Sequence, residues 1–294
     1  MKLGLVQTAH NALYDFLSPT FSLTREQCLA LREEQFRQNL TLLETAAGQG
    51  FDLLVTTECI NSIRTGPQAR PEDAALYPGL DSPQVAALGQ AARRAGSWLV
   101  AGFGYRRDGT ARNGALIFDR TGALRTVYDK VHLAGDEAVV FAPGQTFCTV
   151  DADFGRFGVC VCWDMQFPET ARMLALQGAS LVVCPTWGWE ADLYGRARAY
   201  ENGIFAAAAM AVPAWGPIQA PRTPSSAVAP DGSLICLGPA DRAAVVCCTL
   251  DLTQAESPRQ LRLGDRRPAL YGGLTHDIPK EECNHEKSYP VDRL

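Results

Sequence analysis

The stretch Gly158-Val159-Cys160-Val161-Cys162-Trp163-Asp164-Met165-Gln166-Phe167-Pro168-Glu169 constrains this chain more than any other. Its first half is an apolar run of strand type. Its second half carries a Phe-Pro-Glu helix start, with proline at a first-turn position where its missing N–H costs nothing. A strand that passes into a helix within one turn belongs to a layered α/β protein, and the side chain at the junction is left at the mouth of the sheet. Here that side chain is the thiol of Cys162. A nucleophile belongs in such a place.

The flanking sequence repeats the alternation of strand and helix. Lys2 to Ala9 reads as a buried strand, and the segment after it, through Pro19, as a surface loop near the site. Thr24 caps a helix whose apolar positions are Cys28, Leu29, Leu31, Phe36, Leu40, Leu43 and Ala47, and Gly48 and Gly50 end it. Phe51 to Glu58 is a strand that ends on an acid, before a loop marked by Asn61, Gly66 and Pro67. Ser82-Pro83 opens a helix that runs to Gly96, and Trp98 to Tyr105 is the next strand. Arg112 to Asp119 and Ala123 to Tyr128 form a hairpin that delivers Asp129-Lys130-Val131-His132-Leu133. Downstream come a helix from Pro168 to Gln177, a strand from Ser180 to Pro185, a helix closed by Arg198 to Gly203, and a strand from Ile204 to Val212. A second hairpin about Pro230-Asp231-Gly232 and a last strand, Ala243 to Leu252, complete the pattern. No linker, charge block or fixed-period repeat divides the chain. The expectation is one domain over residues 1–274 and a polar tail over 275–294.

Composition narrows the function classes. An apolar fraction of 47% supplies a sizeable core, and a net charge of −5 without a dense Lys/Arg run argues against nucleic acid or an anionic membrane as partner. The longest apolar stretch, Ile204 to Val212, is stopped by Pro213, far short of the ~20 residues of a membrane span. The N-terminal apolar run is too short for a signal peptide. The expected location is the cytoplasm, and the expected partner a small molecule. Ten cysteines occur without a CxxC pair, which suits buried free thiols in a reducing compartment. His10, His132, His276 and His285 are scattered, so no zinc site is expected. A redox pair at Cys160 and Cys162 would need a strained disulfide across a very short loop.

The pattern of Gly, two apolar positions, Cys-aromatic-Asp and Phe-Pro-Glu resembles the nitrilase, or carbon-nitrogen hydrolase, superfamily. Glu58 at a strand end and Lys130 followed by Val-His-Leu match its two other signatures, and the segments at Arg198 and at Arg266-Arg267-Pro268 match its later ones. Thr57 stands where the family usually has Pro, and Met210 where many members have Asn. The resemblance implies a four-layer α-β-β-α sandwich, two mixed sheets with helices outside, assembled as a homodimer or larger homo-oligomer. It also implies that Cys162 attacks an amide-type carbon, with Glu58 as base and acid in turn. Lys130 and the backbone N–H of Trp163 would stabilise the oxyanion, and Glu137 would orient Lys130, with no metal or organic cofactor. His132 is expected to be structural, and Arg198 to pair with Glu201.

Within that superfamily nitrilases commonly show Cys-Trp-Glu, and amidases and carbamoyl hydrolases in many cases have Asp at the third position, so the resemblance of Cys162-Trp163-Asp164 implies linear amides as the expected substrates. N-carbamoyl compounds are the alternative, with Arg64 as a loose candidate anchor for their carboxylate, and nitriles follow. At this length no fused synthetase is expected, and without a membrane segment the lipoprotein acyltransferases of the superfamily are not expected either. The pocket walls are expected from loops around Asn61, Met165, Gln166, Trp187 and Trp189, where the two tryptophans either wall the pocket or fill the core. A reading of a different class is an idle scaffold of this fold that binds a partner protein.

Overall fold

The computed structural model describes residues 1–17, 20–62, 68–212 and 223–276, so Arg64 and the tail beyond His276 lie outside the described residues. Strands rich in Val, Leu, Ile and Ala alternate with helices twice over, and each repetition builds one sheet. The first sheet contains β1 (Lys2–Gln7), β2 (Leu53–Thr56), β3 (Trp98–Arg107), β4 (Thr110–Phe118), β5 (Leu124–Asp129) and β12 (Ala244–Thr249), ordered β12-β1-β2-β3-β4-β5. The second contains β6 (Cys148–Ala152), β7 (Gly155–Val159), β8 (Leu181–Thr186), β9 (Phe205–Met210), β10 (Ser226–Val228) and β11 (Leu234–Leu237), ordered β11-β10-β9-β8-β7-β6. The centre of each sheet is parallel, β1-β2-β3 in one and β7-β8-β9 in the other, and the outer pairs are antiparallel.

Strand residues alternate between two apolar layers, as a period of two requires. Leu3, Leu5, Leu53, Val55 and Ile117 face Phe157, Val159, Leu181, Val183 and Phe205 between the sheets. On the outer face of the first sheet, Leu54, Leu99 and Phe103 pack beneath α1 (Arg25–Thr45) and α2 (Pro83–Ala95). On the outer face of the second, Val182, Ala206 and Ala208 pack with residues of α3 (Pro168–Leu176) and α4 (Arg196–Asn202). The expected α-β-β-α sandwich is therefore present, with a fifth helix, α5 (Glu256–Gly264), against α4.

Local capping follows the sequence signals. Thr24 accepts from Gln27 N and the Gln27 side chain accepts from Thr24 N, closing a reciprocal cap on α1. Ser82 caps α2 with Pro83 in its first turn, and Gly96 ends it at φ +62°. The inner face of α1 differs from its apolar reading. Arg32, Gln35 and Asn39 are buried beside Cys28, Phe36 and Leu43. The helix ends at Thr45, so Ala46 enters the core and Ala47 is exposed. The buried polar groups have work to do: Arg32 Nη1 donates to Leu76 O at 3.0 Å, and Gln35 Nε2 to Tyr14 Oη at 2.6 Å.

The segment before Pro19 is also not a plain surface loop. Ala12–Leu17 forms a short 3₁₀ turn that buries Leu13 and Tyr14. The Tyr14 ring stacks on His10 at 3.8 Å and meets Trp187 at 4.8 Å between centroids. Two antiparallel pairs add to the expected hairpins: β3-β4, closed by Asp108-Gly109 with both residues at positive φ, and β6-β7.

Candidate active site

In parallel sheets, loops at the carboxyl ends of the strands carry the functional groups. Glu58 follows β2, Lys130 follows β5, Cys162 follows β7 and Trp187 follows β8. The two sheets thus bring acid, base and thiol together from opposite sides of the sandwich. Gly102 on β3 leaves room for this approach: a β-carbon there would lie 2.3 Å from Thr57 O and 2.7 Å from Glu58 Cα in its own sheet, and 2.8 Å from Pro185 Cβ on β8 of the other.

Lys130 is completely buried and is held by two acids. Its Nζ lies 2.8 Å from Glu58 Oε1, 3.0 Å from Glu137 Oε1 and 2.9 Å from Glu137 Oε2. Burial works against its charge, but Glu137 and Glu58, with Cys162, outweigh it and hold the ammonium well above the usual lysine range. Glu137 sits at the start of the 3₁₀ turn Gly135–Val139, and its Oε2 also accepts from Ala134 N at 2.8 Å. Burial raises its carboxyl, with Glu58 adding to the rise and Lys130 opposing it.

Cys162 is the first residue of a 3₁₀ turn, Cys162–Gln166, and adopts φ +46°. The apolar run does not carry strand pairing to the cysteine, since β7 ends at Val159. A non-glycine residue in the left-handed region is disfavoured, and it persists here because the neighbouring structure fixes it. Burial first, then the charge of Glu58, pushes the Cys162 thiol up to about 12. Lys130, the Thr186 hydroxyl and the Trp187 backbone N–H oppose that rise. At neutral pH the thiol is protonated, and a thiol so held can serve as a nucleophile only with a base beside it.

Asp164 does the fixing. Its Oδ2 accepts from Val161 N at 2.9 Å and Tyr128 Oη at 2.7 Å, and its Oδ1 from His132 N at 2.9 Å, with His132 Nδ1 also at 2.9 Å. One buried carboxylate thereby ties the Cys162 turn of the second sheet to the Lys130 segment of the first. His132, stacked on Phe167 at 3.9 Å, takes the structural place expected of it. Replacing Asp164 by Asn puts an amide N–H against donors that need an acceptor. Asp164→Asn is expected to lower stability by about 2–3 kcal/mol and to lower kcat more than it changes KM. Urea titration and steady-state kinetics check both, and an unchanged kcat with native stability would refute the linking role.

The expected wall residues separate. Trp187 lines a cavity of ≈ 50 Å³ with Glu58, Cys59, Asn113, Glu137 and Phe141, and its Nε1 donates to Glu58 O at 2.8 Å. Asn61, Met165, Gln166 and Trp189 are not among the residues lining that cavity. Asn61 instead clamps backbone, with its side chain bonded to Gly104 O at 2.7 Å and Gly104 N at 2.8 Å. Met165 and Trp189 are fully buried in the outer core, where Trp189 Nε1 donates to Ser226 Oγ at 2.7 Å. The carbonyls of Met165 and Gln166 accept from Arg198, which pairs with Glu201 at 3.2 Å. Trp163 lies in the first turn after Cys162, where a helix has spare N–H groups, and its ring meets Phe167 edge-on at 6.3 Å. Cys160 faces the outer core and Cys162 packs against the inner one, so the two thiols point to opposite sides.

Sequence reading missed Asn113, which joins the two acids, and Thr186 beside the thiol. An asparagine inside the apolar strand Thr110–Phe118 was the available signal for the first.

The layered α-β-β-α sandwich is the fold of a class of hydrolases. The carbon-nitrogen hydrolase profile matches residues 22–260, and the chain belongs to that family. It is 36% identical over 235 residues to a hydrolase encoded in the pqqF 5' region of Pseudomonas protegens, covering 76% of this chain and 81% of that one. It is 30% identical over 206 residues to a human omega-amidase, covering 64% of this chain and 72% of that one. The solved carbon-nitrogen hydrolase of Helicobacter pylori shares the fold with a TM-score of 0.72 at 23% identity, over 94% of this chain and 98% of that one.

Proposed function

We propose that this chain hydrolyses a C–N bond of a small linear amide through an acyl thioester on Cys162. The observation that carries the reading is Lys130 Nζ, completely buried and shared between Glu58 at 2.8 Å and Glu137 at 2.9 Å, beside a protonated thiol on a constrained turn. Glu58 takes the Sγ proton as sulfur attacks the amide carbon. The oxyanion is stabilised by Lys130 and the Trp163 N–H, and Glu58 returns the proton to the leaving nitrogen, so that ammonia or an amine departs. Water, deprotonated by Glu58, then cleaves the thioester, and the thiol regains its proton. Glu137 holds Lys130 charged and in place throughout. The resemblance to an omega-amidase supports an amide as substrate.

Ammonia release from small linear amides, N-carbamoyl amino acids and nitriles tests the substrate class. Turnover of amides above the other two is expected. Preferential turnover of carbamoyl compounds or nitriles would move the assignment within the family. Silence across the panel, with no acyl adduct on Cys162, would favour the scaffold reading.

The same proposal extends to assembly as a homodimer or larger homo-oligomer. The outer helices of the second sheet expose Met173, Leu176, Tyr200 and Leu261, apolar surface that a second copy could cover. No described helix is long and apolar enough to cross a membrane, and all nine described cysteines are free, which suits the cytoplasm.

A further inference from the structure

We propose that Asn113 is a positioning residue that makes the two oxygens of Glu58 unlike, leaving Oε2 as the proton-accepting atom, and that the Cys59 thiol sets which way the Asn113 amide faces. The inference rests on the reading of Glu58 as the base for Cys162.

Asn113 lies on β4 and is 1% exposed. Its main chain is bound to the site, because Lys130 N donates to Asn113 O at 2.9 Å. Its Nδ2 donates to Glu58 Oε1 at 2.9 Å and to Glu137 Oε1 at 3.0 Å, which uses both amide hydrogens. Its Oδ1 accepts from Cys59 Sγ at 3.2 Å. The reversed amide would aim an oxygen at two carboxylates and its N–H groups at a thiol, so the chemistry of the partners fixes the orientation.

The consequence falls on the base. Glu58 Oε1 receives two donors, Lys130 Nζ at 2.8 Å and Asn113 Nδ2 at 2.9 Å, while both oxygens of Glu137 are engaged by Lys130 and Ala134. No donor among the described residues is bonded to Glu58 Oε2, although Glu58 lines the cavity. A carboxylate with one oxygen pinned and the other open accepts a proton at one defined atom. Asn113 achieves this without adding charge. An aspartate there would put a third negative group on one lysine, and an apolar residue would let the two acids repel until they share a proton.

Cys59 suits the donor role. It follows Glu58 directly, adopts φ +43° and is 4% exposed. Burial first, with Glu58 and Glu137, keeps its thiol far above the ordinary range, so it remains S–H and can donate.

The test uses Asn113→Leu, Cys59→Ala and Cys59→Ser in the full chain. The readouts are the pH profile of iodoacetamide alkylation at Cys162, followed by peptide mass, and kcat and KM on the best amide. In Asn113→Leu the acidic limb of both profiles is expected to move up by about one pH unit, a roughly tenfold slowing below the limb, with KM within about twofold. Cys59→Ala is expected to shift the limb the same way by less, and Cys59→Ser, which keeps a donor, to restore it. A uniform slowing with an unshifted limb in Asn113→Leu would overturn the proposal. Should that variant not fold, an unshifted limb in Cys59→Ala would do so instead. Alkylation needs no turnover, so variants whose alkylation limb shifts as expected, in a protein whose wild type cleaves no amide, would defeat the proposed function and leave this inference standing.

Discussion

Changing Cys162 to alanine is expected to abolish amide turnover, by on the order of 10⁴-fold or more, while leaving the fold intact. Alanine keeps the β-carbon at φ +46° and removes only a half-buried sulfur, so neither the turn nor the core loses a major contact. What disappears is the sulfur to which the proposed mechanism attaches the acyl carbon. Acid-quenched wild type, sampled during turnover, should carry the acyl mass on the peptide containing Cys162, and the alanine variant should carry none. Residual turnover in Cys162→Ala within tenfold of wild type would refute the thioester route. A second readout follows from the thiol's elevated titration. A group pushed from 9.0 up to about 12 in the folded chain contributes stability that is present below pH 9 and is lost as pH rises towards 12. The alanine variant should therefore lose less stability than wild type across that alkaline window.

How much of this was legible beforehand depended on whether a feature was local. Periodicity visible within a dozen residues placed Glu58, Lys130 and Cys162 at or just beyond the ends of strands, but only the family resemblance singled them out, since an acid or a lysine at a strand end is ordinarily solvated. The caps at Thr24 and Ser82 were legible for the same reason. Asp108-Gly109 was an equally local signal for the β3-β4 hairpin and was passed over. The pocket walls were not legible, because they depend on which side of a turn faces the other sheet. Trp187 and Trp189 are two residues apart, yet one lines the cavity and bonds to Glu58 O while the other is sealed in the outer core by Ser226. Asn61 looked like a pocket group because it is polar and follows the acid, but Gly104 N–H and C=O are buried beside it and required a partner. The inner face of α1 misled for a related reason. Its polar residues are buried because Tyr14 and the Leu76 carbonyl come from distant parts of the chain to bond them.

The largest effect on folding is expected from Lys130→Met. The substitution keeps the volume and removes the cation, leaving buried Glu58 and partly buried Glu137 with no positive partner between them. Removing one member of a buried charge pair typically costs about 3–5 kcal/mol, because the desolvation of the remaining charge is no longer offset. Turnover should vanish as well, since the oxyanion loses its charged donor. The pH dependence separates this cause from simple loss of packing. Burial and Glu58 already raise the Glu137 carboxyl, and Lys130 is the group that holds it down. Without the lysine, the folded chain binds a proton more readily than the unfolded chain does, so stability rises as pH falls. The deficit relative to wild type should be smaller at pH 5.5 than at pH 8 in urea titrations. Glu137→Gln added to Lys130→Met should recover part of it at pH 8 while restoring no activity. An equal deficit at both pH values, with no recovery in the double variant, would show that the lysine acts by filling space, and the electrostatic account of the site would fall with it.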